Sequence, residues 1–263
     1  MDWALYGQAG LVVLVAGFAF WLVSLAKNDV SIVDSLWSLM FLLIAGFCFF
    51  ADGGAGSARA GLVLGLVAVW SLRLSGYITL RNHGQPEDYR YQQIRERNQP
   101  NFRFKSLYLV FWLQAALAWL IAMPLAVAVF SDSPLGWLDL AAFALWMIGM
   151  TFEVGGDTQL AAFKRDPSNK GKVLDTGLWR YTRHPNYFGE FTLWWGYWLF
   201  AVAAGGWWTL ASPLLMSFLL LKVSGVALLE KDIGERRPKY ADYIRRTNAF
   251  FPGPPRGAAA PES

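Results

Sequence analysis

The densest chemistry in this chain lies between Glu153 and Tyr197. That stretch reads Glu153-Val154-Gly155-Gly156-Asp157-Thr158-Gln159, then Phe163-Lys164-Arg165-Asp166-Pro167-Ser168-Asn169-Lys170-Gly171. It closes with Gly177-Leu178-Trp179-Arg180-Tyr181-Thr182-Arg183-His184-Pro185-Asn186-Tyr187-Phe188-Gly189-Glu190, followed by Trp194-Trp195-Gly196-Tyr197. Lys164, Arg165, Arg180 and Arg183 are charge-assisted donors suited to phosphates. Asp157, Asn169, Asn186 and Glu190 can bind hydroxyls or an amide, and the Trp and Tyr rings can stack a heteroaromatic. Such a set suits a dinucleotide. Each residue also has a structural reading: border arginines hold lipid headgroups, Trp and Tyr form interfacial belts, and Pro185 starts a helix.

A second set lies earlier in the chain. Ser31, Asp34 and Ser35 share one helical face by their spacing of three and four. Asp34 there is a candidate proton donor, while Ser31 and Asp34 also fit a helix N-terminal cap. Trp70, Arg73 and Tyr77 repeat the spacing, giving a polar stripe that lines a pocket or bridges helices. Charged groups inside a bilayer cost several kcal/mol unless paired or hydrated, which marks Asp34, Arg73, Glu153, Asp157, Glu190, Lys222 and Glu230 as candidates. Pairing among themselves, or snorkelling of Arg73 and Lys222, is the competing explanation.

The elements that must position these groups are membrane helices. The 263 residues are 55% hydrophobic and only 16% charged, too little charge to cover a soluble domain of this size. Seven apolar segments read as spans: 3–25, 32–50, 58–80, 106–130, 135–154, 187–204 and 207–229. Backbone groups in lipid must be satisfied locally, so the fold class is all-α, a polytopic membrane protein of about seven helices. Gly205-Gly206 forms the turn between the last two. Lys and Arg gather in the third loop, the fifth loop and the C-terminal segment, whereas the external connections hold Arg59 alone, which places the N-terminus outside and the C-terminus inside. Residues 1–252 form a single domain, and the Pro/Gly/Ala-rich 253–263 a disordered tail. The N-terminus carries no basic region before its apolar run, so the first segment is a retained helix.

Other chemistries find little support. His83 and His184 are too few for a histidine metal site, and Cys48, within an apolar run, has no cysteine partner, so no metal is expected. No Gly-x-Gly-x-x-Gly opens a helix after a strand, which excludes a soluble-type dinucleotide fold. Gly61 and Gly65 form a small-residue pair suited to a helix contact. The basic residues lie at a membrane surface, so anionic headgroups or a phosphate-bearing cofactor explain them and nucleic acid does not. The expected partners are membrane lipids and a lipid-soluble small molecule, with no obligate protein partner.

The run from Gly177 to Glu190, with Trp194-Trp195-Gly196-Tyr197 behind it, resembles the C-terminal signature of the steroid 5-alpha-reductase superfamily, and the whole chain resembles its small bacterial branch. The resemblance implies seven helices, NADPH held by the later helices and their cytosolic loops, and reduction of a carbon–carbon double bond conjugated to a ketone, in a bacterial inner membrane. By matched position it implies cofactor roles for Asp157, Lys164, Tyr181, Asn186, Glu190, Trp194 and Tyr197. Asn169, Arg180, Arg183, His184, Tyr187, Arg236, Tyr240 and Tyr243 complete the candidate cofactor set. Arg73 and Tyr77 match polar positions of the third span and support Asp34, the candidate for polarising the ketone oxygen. Steroid-reducing members use a Gln-Glu pair in the second span and a Tyr in the third; here the second span has no Glu and Trp70 takes the Tyr position. Isoprenylcysteine carboxyl methyltransferases share an Arg-His-Pro-x-Tyr run and a comparable ending with Glu230, Tyr240 and Tyr243. An S-adenosylmethionine-dependent methyltransferase is therefore the alternative, and a non-enzymatic lipid-binding protein a third.

Overall fold

The computed structural model describes residues 1–53, 57–223 and 238–256, and among these the regular structure is entirely helical. The chain divides into two compact units. The first holds Met1–Asp139 and Phe200–Ser212, the second Leu140–Leu199 and Pro213–Ser263.

In the first unit, α1 (Trp3–Lys27) begins at Asp2, whose carboxylate accepts the N–H groups of Ala4 and Leu5 at 2.8 and 2.9 Å. Two of the four donors that a helix start leaves without a partner are thereby satisfied. The helix stops at Asn28, which takes the left-handed conformation with φ 52°. Next come α2 (Val33–Ala51) and α3 (Ala58–Asn82), joined by a ladder of hydroxyls. Ser38 Oγ donates to the Ser71 carbonyl at 2.9 Å, Ser75 Oγ to the Ser35 carbonyl at 2.7 Å, and Thr79 Oγ1 to Ser35 Oγ at 2.9 Å. These bonds let two apolar helices recognise each other where the hydrophobic effect supplies no drive between them. Gly61 and Gly65 are not the helix contact their spacing predicts, since a Cβ at either would meet nothing within 4 Å.

The first unit continues with α4 (Tyr89–Arg97), α5 (Phe102–Ile121) and α6 (Met123–Val129). A π-helical stretch at Leu107–Trp112 widens α5. The loops pair by end. Val30 N–H donates to Glu87 Oε1 at 2.8 Å, tying the loop after α1 to the loop after α3. Ser57 Oγ donates to the Ser131 carbonyl at 2.5 Å, tying the loop after α2 to the one after α6. Beside that second tie, Arg59 is 1% exposed and forks onto Asp139, Nε to Oδ1 at 2.7 Å and Nη2 to Oδ2 at 2.9 Å.

Two long helices dominate the second unit: α7 (Trp137–Arg165) and α8 (Pro185–Ala203), each with one end in the first. Glycines bring their backbones together. A Cβ on Gly149 would lie 2.6 Å from Leu193 N, one on Gly156 2.9 Å from Asn186 N, and one on Gly196 3.0 Å from the Ala142 carbonyl; one on Gly189 would strike Glu153 N. In chain order α9 (Trp207–Val223) follows, with Trp207–Ser212 in the first unit and the rest in the second, and then α10 (Pro238–Arg246). The turn into α9 uses Gly205 at φ 80°, with Gly206 N–H donating to the Ala201 carbonyl at 2.7 Å, as its sequence predicts.

Among the described residues five helices, α1, α2, α3, α5 and α7, are long and apolar enough to cross a membrane. The other two predicted spans are not among them. Helix α8 has 19 residues but carries Asn186, Glu190 and a succession of Trp and Tyr, and α9 is shorter, with residues 224–229 of its predicted span outside the described residues.

Candidate functional site

Asp34 sits in the first turn of α2, but α2 has no side-chain cap, and Ser31 Oγ instead donates to Asp29 at 2.6 Å. The capping explanation for Ser31 and Asp34 therefore does not apply. The Asp34 carboxylate is held by α4: Arg90 Nη2 donates to Oδ2 at 2.7 Å and the Tyr91 hydroxyl to Oδ1 at 2.5 Å. Gln114 of α5 donates to the Tyr91 oxygen at 3.1 Å. Helix α4 reaches this position because its apolar side is buried: the Tyr91 ring packs in a cluster with Trp21, Val30, Val33, Phe102, Val110 and Phe111. Burial, then the Asp34 charge, push the Tyr91 phenol well up, so it stays protonated and donates.

Arg90 also forks back to Asp88, with Nε to Oδ1 at 2.9 Å, and the same carboxylate caps α4 by accepting Arg90 N–H at 2.9 Å. Burial opposes the Asp88 charge, yet the two Arg90 hydrogen bonds and the guanidinium charge hold its carboxyl below the usual carboxylate range. A depressed carboxyl stabilises the fold fully above the unfolded pKa of about 3.9, and that contribution is lost as pH falls through the lower folded value. Amide exchange at Arg90 and Tyr91 is therefore expected to keep its protection from pH 7 to 5 and to lose it below about pH 4. In Asp88→Asn, the share of this loss that Asp88 carries should vanish. An acid profile identical in the variant would remove Asp88 as its source.

Arg73 and Tyr77 are half-buried on α3. The Arg73 guanidinium lies 5.5 Å from the Tyr77 ring centroid and that of Arg81 5.8 Å, within cation–π range. Trp70 is fully buried, its ring 5.6 Å from Phe41.

The later motif lies in the second unit. Asn186 Nδ2 donates to Asp157 Oδ1 at 3.1 Å, with Asp157 5% exposed, so α7 and α8 bring these two predicted residues together. Further along α8, Trp194 Nε1 donates to Glu190 Oε1 at 3.1 Å and its ring meets Tyr197 edge-on at 5.3 Å. Tyr197 in turn accepts Trp146 Nε1 at 3.0 Å. The His184 and Tyr187 rings are 5.8 Å apart at the start of α8.

The loop between the two helices is pinned from both sides. On one, Trp179 Nε1 donates to the Gly156 carbonyl at 3.1 Å and Leu178 N–H to Gln159 Oε1 at 2.9 Å. On the other, the C-terminal segment holds it: Arg183 Nη1 donates to the carbonyls of Ile244 and Thr247 at 3.1 and 2.5 Å, and Thr182 Oγ1 to that of Phe250 at 2.7 Å. The Tyr243 hydroxyl donates to the Trp179 carbonyl, and its ring meets Tyr240 at 5.3 Å. Arg183 and Tyr243 thus fix the loop's shape.

Lys164, Arg180 and Tyr181 of the same motif are exposed. Arg180 has no ion pair or hydrogen bond through its guanidinium among the described residues. Asn169 Nδ2 donates to the Phe163 carbonyl at 3.1 Å, ordering the turn after α7. In that turn the Ser168 N–H holds the exposed Asp166 carboxyl below its usual range. Arg236 lies outside the described residues. The second unit thus holds exposed cationic groups and a buried carboxylate–amide pair. The catalytic candidates Asp34, Arg73 and Tyr77 belong to the first unit, the cofactor candidates to the second.

Sequence reasoning missed Arg90, Tyr91 and Gln114. The available signal was Asp88 as a cap followed by Tyr91 and Ile94 three apart, a short amphipathic helix inside a basic loop.

Comparison with known proteins gives the chain a set of relatives. The family described as "Protein of unknown function (DUF1295)" matches residues 20–247. An uncharacterized protein of Schizosaccharomyces pombe is 28% identical, covering 92% of this chain and 78% of its own length. The 3-oxo-5-alpha-steroid 4-dehydrogenase 1 of Bos taurus is 34% identical over 84 residues, which is 30% of this chain and 32% of that protein. Its Mus musculus counterpart is 33% identical over 81 residues, or 31% and 29%. The similarity to the two dehydrogenases thus spans about a third of their length. No solved structure matches.

Proposed function

Since the chain belongs to the DUF1295 family, we propose that it is an NADPH-dependent membrane reductase, transferring hydride to a carbon–carbon double bond conjugated to a ketone in a lipid substrate. Similarity to two proteins named 3-oxo-5-alpha-steroid 4-dehydrogenase 1 supports the reaction class. The observation that carries the reading is the combination, in one unit, of the buried Asp157–Asn186 pair with the exposed Lys164 and Arg180.

Lys164 and Arg180 would hold the cofactor phosphates as charge-assisted donors. Asp157 and Asn186 would meet hydroxyls or the carboxamide, and Tyr181 and Tyr187 would supply aromatic faces, while the fully buried Trp194 and Tyr197 would act from behind, Trp194 by holding Glu190. Bound there, NADPH would supply the hydride. In its protonated form Asp34, with Arg73 and Tyr77 in support, would donate to the ketone oxygen as negative charge develops on it. That step requires the carboxyl to give up one of its contacts with Arg90 and Tyr91. Steroid specificity is not part of the proposal, because the second span has no Glu and Trp70 is buried against Phe41.

Topologically we place seven spans in a bacterial inner membrane, with the N-terminus outside and the C-terminus inside. The pairing of loops by end in the first unit, through Val30 with Glu87 and Ser57 with Ser131, supports the alternation.

Thermal unfolding of detergent-purified protein with NADPH, and separately with S-adenosylmethionine, tests the cofactor. Saturating NADPH at 100 times its dissociation constant stabilises by about 2.7 kcal/mol, a rise that should be lost in Asp157→Ala. Stabilisation by S-adenosylmethionine alone would replace the reading with the methyltransferase. Asp34→Asn is expected to slow NADPH oxidation with an enone panel by about a hundredfold. Unchanged turnover would remove Asp34 from the chemistry.

A further inference from the structure

A cavity of about 180 Å³ opens in the first unit where the last turn of α1 meets α4 and the start of α5. Ser24, Asn28, Val30, Arg95, Arg103 and Ser106 line it. At roughly 30 Å³ per water in the liquid, it has room for a phosphate group and some of its hydration. None of the groups assigned above to cofactor or ketone borders it.

Two arginines line this one space, and they differ. Arg95 is matched by Glu87, Nε to Oε2 at 2.9 Å and Nη2 to Oε1 at 2.7 Å, and so is held in place. Arg103 uses only its backbone: its carbonyl accepts Trp21 Nε1 at 3.1 Å and Ser106 Oγ at 2.9 Å. Among the described residues its guanidinium has no ion pair and no hydrogen bond. The buried hydroxyls of Ser24 and Ser106 each donate to a local main-chain carbonyl. Lys105 lies nearby in sequence, its ammonium on the Asn98 carbonyl at 3.1 Å. Among the described residues Arg103 is thus a cation with no partner, lining a small cavity, and it matches an anion with several acceptor oxygens.

The surroundings add the second half of the ligand. On the same two helices, Leu22 and Val23 of α1 are 48% and 46% exposed, and Phe104 and Tyr108 of α5 are 61% and 54% exposed. Apolar side chains left outward on two membrane-length helices suit acyl chains. We propose that this corner binds a phosphate group, that of an anionic glycerophospholipid, with Arg103 as the principal donor, Arg95 as the fixed second cation, and the acyl chains along α1 and α5.

The test measures the thermal midpoint of the full-length protein in detergent as phosphatidylglycerol is titrated into the micelles. Parallel titrations use phosphatidylcholine and inorganic phosphate. Arg103→Gln removes a charge that supports no contact within the protein, so the fold is kept. Arg97→Gln, exposed and outside the cavity lining, is the matched charge control. Phosphatidylglycerol should raise the midpoint of the wild type and of Arg97→Gln alike, with at least half of the rise lost in Arg103→Gln. An equal, Arg103-dependent rise with inorganic phosphate keeps the phosphate site and assigns a soluble source to it. A rise that is the same in Arg103→Gln and wild type, or no rise with any of the three, overturns the proposal.

Discussion

Replacing Arg59 with Ala is expected to destabilise the protein by about 3–5 kcal/mol, the range seen when one partner of a buried ion pair is removed. The side chain is 1% exposed, and its guanidinium reaches both Asp139 oxygens, the Ser131 and Ser133 hydroxyls, and the carbonyls of Ser133 and Pro134. Without it Asp139 is a buried carboxylate whose remaining contacts include the Gly136 N–H at 2.8 Å. Thermal unfolding in detergent would measure the loss. The double variant Arg59→Met with Asp139→Asn should lose clearly less than the sum of the single changes, because the stranded charge is gone. Additive losses would mean that the two residues stabilise the fold independently.

Gly189→Ala is the second large effect, expected at about 1–3 kcal/mol or above, the usual range for overpacking a core. The added methyl would strike Glu153 N and the Gly149 carbonyl, and backbone of a neighbouring helix cannot rotate aside as a side chain can. Forcing α7 and α8 apart would also separate Asp157 from Asn186, so the variant should lose nucleotide-induced stabilisation with its midpoint. Gly61→Ala is the control: its new Cβ meets nothing within 4 Å, and relief of glycine's backbone entropy should leave it neutral or more stable by about 0.5–1 kcal/mol. A Gly61→Ala as damaging as Gly189→Ala would contradict the packing described.

These cases show what can be read from the chain and what cannot. Apolar run length is a local property, and it correctly marks α1, α2, α3, α5 and α7, because a lipid-facing helix must be apolar along its whole length. The Asp157–Asn186 pair was foreseeable in type, since both residues stand in a motif dense with hydrogen-bonding groups. The partners of Asp34 were not: Arg90 is 56 positions away and counted only as loop charge, and nothing in the periodicity of α2 says which loop folds over its end. Arg59 looked like an isolated basic residue in an external connection, whereas its buried partner is 80 positions on. The glycines misled for a related reason. Gly61 and Gly65 have the familiar spacing of four but face open space, while the close crossing uses Gly149 and Gly156 against Gly189 and Gly196, seven apart on each helix. Spacing of small residues says that a close approach is possible, and the partner surface decides where it happens.

The pinning of the loop before α8 by the C-terminal segment has a consequence for biosynthesis. Arg183 finds its acceptor on Ile244 61 residues later, so at about 5–20 residues per second the ribosome needs roughly 3–12 s to deliver it. During that interval the nascent chain already holds the motif's arginines and aromatics, but neither Tyr243 nor the carbonyls that shape them. The proposed cofactor site is thereby among the last parts of the molecule to mature. Lesions confined to residues 243–250 should yield protein that inserts in the membrane and accumulates, yet is not stabilised by the proposed nucleotide.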